Sequence, residues 1–191
     1  MEDEIKKHDK DFKHTGLFVN HTLLNRDANC LYFFARADWS KGNRTNRTNI
    51  AFSINLDGSN LKRHKQHIGG HPEWAEGSLL IGRDGDKQIL YDVDKKKVVG
   101  QLGTPELFPE PEGDISLSPD GNWFVNGYKE KSENSNNNYY AVYRRSDGAF
   151  VRSEGIDKGS YGGNVRIDAA PRWNRSNDAI LVPGIAENKT R

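Results

Sequence analysis

Three short stretches share one plan: "LNRDANCLYFF" from Leu24, "LSPDGNWFV" from Leu117 and "WNRSNDAILV" from Trp173. Each leaves an apolar residue, crosses a polar turn rich in Asn, Asp, Ser or Gly, and enters a strand of β-branched or aromatic residues. Such turns suit hairpins, because Asp and Asn bond their own backbone and Gly supplies positive φ. Between these openings the chain continues in the same style. Thr48 to Ile68 reads as strand, Asp57-Gly58 turn, strand. His71 to Gly103 runs through four strands with turns at Glu76-Gly77, Asp84-Gly85 and Asp94-Lys95, and Gly113 to Gly155 repeats the sequence of events. The repeat length is about 40–55 residues, which is the period of a propeller blade.

The fold class read from this pattern is all-β: a β-propeller with four-stranded blades, the repeat unit being radial rather than linear. A single β-sandwich also uses short, evenly spaced strands. The recurrence of one strand-turn-strand opening decides for the propeller. The blades are placed at about 17–69, 70–104 and 112–156, followed by a half blade at 168–191, with 1–16 a charged leader or the remnant of a preceding blade. Three and a half blades do not close a ring, so the expectation is a partial propeller that self-associates through its open ends.

Composition narrows the partners. The chain carries 28 basic and 27 acidic residues, a net charge of +1, so no global field draws it to nucleic acid or to an anionic membrane, and neither is expected as a partner. Only 34% of the residues are apolar, and no run reaches membrane-spanning length. The N-terminus, "MEDEIKKHDKDFKHTG", lacks an apolar signal region, which favours a soluble, cytoplasmic protein. Cys30 is the single cysteine, so an intrachain disulfide and any multi-cysteine metal site are excluded.

The series "NHTLLNRD", "LDGSNL", "GHPEW", "GDISLSPDGNWFVN" and "RIDAAPRWNRSNDAI" resembles, in order and spacing, the C-terminal blades of oligogalacturonate lyase and its β-propeller relatives. The resemblance runs from Val19 to Pro183, although "SPDG" alone is common to many propellers and marks only a turn. It implies a propeller that is seven-bladed when complete and cleaves short, acidic pectin fragments by β-elimination, with a divalent metal, manganese before calcium or magnesium, held at the mouth of the central channel. That chemistry explains the residue types. The carbanion formed at C5 of a galacturonate must delocalise into the C6 carboxylate, whose charge needs neutralising by a metal or an Arg while a base takes the proton.

Carried over residue by residue, the resemblance makes His71, in "GHPEW", a metal ligand, with Glu112 and Asp114 completing the set. It makes His21, in "NHT", the candidate base, and Arg166, in the last motif, the carboxylate clamp. Arg36, in "FFARADW", is read as a second clamp. Two departures stand out: Asp114 occupies a position where the family pattern has histidine, and so does Ala170. Structural alternatives accompany each role. Arg166 also suits an ion pair with Asp168, acids before a glycine are commonly solvated, and His64 and His67 read as surface. The competing class is a non-catalytic, TolB-like propeller that binds a saccharide or a protein partner.

Overall fold

The structure is a computed structural model that describes residues 2–6, 16–38, 47–109, 113–129 and 136–185. Glu112 and Trp39 therefore lie outside the described residues, as does most of the charged leader. The chain divides into two compact units, one formed by residues 1–67 with 93–97 and the other by 68–92 with 98–191.

The first unit opens with a short helix, α1 (Glu2–Lys6), and is otherwise one antiparallel sheet of β1 (Phe18–Leu24), β2 (Cys30–Ala37), β3 (Thr48–Asn55) and β4 (Lys62–Arg63), in that spatial order. β2 is a strand because its residues are aromatic or small and both of its faces are covered. Phe33 and Ala35 pack with Ile5 and Phe52 on one face, and on the other the Tyr32 and Phe34 rings meet edge to face. The β1–β2 turn closes on one side chain: Asn25 Oδ1 accepts from the backbone N–H groups of Asn29 and Cys30, both at 2.9 Å.

In the second unit β5 (Gly69–Trp74), β6 (Leu79–Asp84), β7 (Lys87–Asp92) and β8 (Lys97–Leu102) form a second sheet in sequence order. β9 (Ile115–Leu117), β10 (Trp123–Lys129), β11 (Asn137–Arg144) and β12 (Phe150–Arg152) form a third, with β13 (Ile156–Asp157) also paired to β11. β14 (Arg172–Trp173) and β15 (Ile180–Leu181) form a two-stranded hairpin. The chain is all-β in character, built from antiparallel sheets in which, β13 beside β11 apart, neighbours in space are neighbours in sequence.

The repeated openings share a physical cause. Ser118 Oγ accepts from Trp123 N at 2.9 Å, and Asn174 Oδ1 accepts from Asp178 N and Ala179 N, each at 3.2 Å. Ser118 and Asn174 thus do in their turns what Asn25 does in the first: a side-chain acceptor ties down the start of the next strand.

A hydrophobic cluster joins the second and third sheets. It contains Ile81, Leu102, Phe108, Ile115, Leu117, Phe124 and Tyr128. Phe108 reaches it from the loop after β8 and stacks on Phe124 at 5.3 Å between ring centroids. Burying a side chain of that size is worth roughly 2–3 kcal/mol against leaving it in water. On the opposite face of the third sheet Val125 and Tyr140 pack with Ala169, Trp173 and Ile180. These two layers bring β5 and β14 alongside β9, so the first strands of three successive sheets lie together.

Candidate functional site

At that convergence an open cleft of about 240 Å³ is lined by His71, Asp114, Tyr128, Lys129, Arg166 and Asp168, over a floor of Gly113, Gly127 and Ala169. Every one of these residues belongs to the second unit.

The floor exists because backbone replaces side chain. An ideal Cβ on Gly113 would stand 1.2 Å from the Gly127 carbonyl oxygen, and one on Gly127 would stand 2.0 Å from that of Ala169. Only glycine permits this approach of three chain segments. Hydrogen bonds hold it: Gly127 N donates to the Asp114 carbonyl at 2.9 Å, and Asn126 Nδ2 donates to the Gly113 carbonyl at 3.2 Å. Asp114 is therefore fixed by its backbone before its carboxylate does anything.

His71 reaches the cleft from a bulge. The β5–β6 register slips between Gly69 and Glu73, and within the slip Gly70 and His71 take left-handed φ values of 73° and 53°. β1 does the same thing, with a slip between Asn20 and Leu23 and a φ of 51° at His21. Among the described residues these two histidines are the non-glycine, positive-φ residues inside strands; Ala28, Asp38, Asn60, Lys96 and Asn177 lie in turns or just past strand ends. A bulge re-aims a side chain. A left-handed residue with a Cβ stores strain that persists only where the surroundings dictate it.

His71 Nδ1 stands 3.0 Å from Asp114 Oδ1, the histidine side chain 58% exposed and the aspartate 18%. That separation suits a hydrogen-bonded imidazole–carboxylate pair. It also suits two neighbouring ligands of an octahedral ion, which stand about 3 Å apart when each bond is ~2.1 Å. Among the described residues no group of three His, Cys, Asp or Glu side chains is placed to hold a metal. The third expected ligand, Glu112, lies outside them.

Facing this pair are two cations that share one acceptor. Arg166 Nε donates to Asp168 Oδ1 at 2.9 Å, and Lys129 Nζ donates to the same oxygen at 3.3 Å. Arg166 Nη1 also donates to the Gly163 carbonyl at 3.1 Å. Burial pushes the Asp168 carboxyl up, but the hydrogen bonds from Arg166 and Lys129, with their charges, outweigh it and hold the group below the usual carboxylate range.

Two other expected site residues, His21 and Arg36, belong to the first unit and are described within it. The His21 ring meets Phe34 edge-on at 6.0 Å. Arg36 Nε donates to Asn49 Oδ1 across the β2–β3 ladder at 3.0 Å, with its guanidinium 5.5 Å over the Phe34 ring and its pKa lowered by burial. The ion pair of Arg166 with Asp168 is formed, and it lies in the cleft rather than away from it. Sequence reasoning missed Tyr128 and Lys129. Their signal was Gly127 beside them, a glycine within a strand that otherwise reads as core. His64, read as surface, is buried at 3% exposure and bonded to Ser53 Oγ at 2.9 Å.

No family model matches the chain, and no curated protein matches it. Among solved structures it is similar to the crystal structure of Porphyromonas gingivalis dipeptidyl peptidase 4, at 11% identity and a TM-score of 0.46, with 92% of this chain aligned. The chain spans 30% of that protein's length.

Proposed function

We propose that this chain is part of a β-propeller of the oligogalacturonate-lyase type, and that its cleft receives a short acidic sugar. The observation that carries the reading is one cleft in which an imidazole–carboxylate pair, 3.0 Å apart, faces a guanidinium and an ammonium drawn from other segments. In a propeller such groups come from the heads of inner strands around one end of the channel; the supporting observation is that β5, the residues before β9, the end of β10 and the segment before β14 contribute to one cleft.

In this reading Arg166 binds the C6 carboxylate of a galacturonate, its guanidinium plane matched to the two oxygens. Neutralising that carboxylate lowers the cost of removing the C5 proton, because the electron pair left behind delocalises into it. A base takes the C5 proton, the C4–O4 bond breaks, a C4=C5 double bond forms, and the departing oxygen takes a proton from that base's conjugate acid or from water. His71 and Asp114 are the described groups that would hold a divalent ion, manganese before calcium or magnesium, with Glu112 as the third ligand. A bound ion would add to the neutralisation of the carboxylate.

The second reading, a propeller that binds its ligand without turning it over, is favoured by one feature: Asp168 already offsets charge on both cleft cations. Digalacturonate separates the two. Turnover raises the absorbance of the unsaturated product in the presence of manganese, and Arg166→Ala abolishes the rise. A flat trace with every divalent metal, accompanied by calorimetric binding of the sugar, leaves the binding role. The absence of both overturns the acidic-sugar reading. The metal has its own test: manganese should raise the melting temperature of the wild type and fail to raise that of Asp114→Asn. Equal responses remove the ion from the cleft.

A further inference from the structure

The cleft holds a cation that neither the motifs nor the resemblance marks. Lys129 is the last residue of β10, and its single hydrogen bond among the described residues is the 3.3 Å contact with Asp168 Oδ1. An ammonium carries three donors, so two of them are not spent on the described protein. Two residues earlier on the same face of the strand stands Gly127, whose missing side chain lets the Ala169 backbone pack directly against β10. The Gly127 backbone also abuts the Ala169 carbonyl, so β10 and the segment carrying Asp168 cannot drift apart without opening that contact. Lys129 thus lines the cleft on a strand held against the Asp168 segment, tethered by one long hydrogen bond.

Asp168 is the other half of the device. One of its oxygens takes both cations, and its second oxygen has no hydrogen-bond donor among the described residues. The local sum of Lys129, Arg166 and Asp168 is one positive charge, and the remaining carboxylate of the cleft, Asp114, stands 3.0 Å from the His71 ring.

We propose that Lys129 is a second anchor for the ligand's carboxylate beside Arg166, that Asp168 is the positioning residue for both, and that the charge Asp168 removes sets the cleft to accept one carboxylate at a time. The proposal rests on the acidic-sugar reading and adds the residue that gives it charge selectivity. A monocarboxylate meets one net positive charge and is matched. A dianion exceeds that charge by one, and the carboxylates of Asp168 and Asp114 that line the cleft oppose the excess.

The test is calorimetric titration of the full chain with galacturonate, galactose and inorganic phosphate, the last as a dianionic probe. Wild type should bind galacturonate well above galactose and phosphate. Lys129→Met should weaken galacturonate about tenfold, the loss of one charge-assisted hydrogen bond, and leave galactose unchanged, while Lys129→Arg restores most of the affinity. Asp168→Asn should narrow the preference for galacturonate over phosphate by a similar factor, a change of ratio that a merely structural role would not produce. If wild type binds galactose as well as galacturonate, the acidic-sugar reading falls. If galacturonate is preferred but Lys129→Met binds it like wild type, or Asp168→Asn leaves the ratio to phosphate unmoved, the anchor proposal alone falls.

Discussion

His64 shows what one buried imidazole does to stability. It follows β4, accepts or donates one hydrogen bond with Ser53 Oγ and leans on the Tyr32 ring, 5.5 Å between centroids. Burial lowers its pKa to about 4, and the positive charges of Lys96 and Lys62 push the same way, against the opposing carboxylate of Asp94. The folded protein therefore keeps this ring neutral between about pH 4 and the ordinary value of 6.5, while the unfolded chain takes up a proton in the same window. The stabilisation is complete above pH 6.5 and is lost as pH falls toward 4. A shift of that size corresponds to roughly 3 kcal/mol. Urea unfolding at a series of pH values should show the decline, and His64→Gln should flatten it by that amount relative to wild type. Parallel curves for the two proteins would mean that the ring is not the group responsible.

Among the elements, turns and strand order were the most readable from the sequence, because their causes are local. Asn25, Ser118 and Asn174 each close a turn within five residues, so the chemistry sits in one short window of sequence. The sheets follow sequence order, so repeat and topology coincide. The cleft was half readable. His71 and Asp114 stand at strand heads that the motifs mark, and they do meet. Lys129 was hidden because it precedes a run of charged and polar residues and looks solvated, while its partner Asp168 is 39 residues away. His64 was hidden because β4 is only two residues long and has no periodicity to show a buried face. The glycine floor gives an element-scale prediction. Gly127→Ala drives a Cβ into the Ala169 backbone and should cost about 2–3 kcal/mol as overpacking. Gly77→Ala meets no atom within 4 Å and bears only its φ of +57°, a cost of about 1 kcal/mol. Thermal unfolding of the two variants ranks them; equal melting temperatures would contradict the close approach of β10 to the segment carrying Asp168.

For the whole molecule, a chain with 34% apolar residues has little hydrophobic surface to spread, and among the described residues each unit has a cluster of its own. The first unit keeps Ile5, Phe33, Ala35 and Phe52. The second keeps the cluster around Phe108, whose ring also meets Tyr143 at 5.8 Å and Phe150 at 6.0 Å. Separate cores open with separate free energies, because a local opening costs only the contacts it breaks. Phe108→Ala removes a ring that is 1% exposed, which should cost about 3–5 kcal/mol as lost transfer energy plus cavity. The loss belongs to the unit that owns the cavity. Amide exchange should therefore quicken in β9, β10 and β11 of the variant while β2 and β3 keep their wild-type protection. A uniform loss of protection over all five strands would mean that the units unfold as one body, and a single global free energy would then describe the chain.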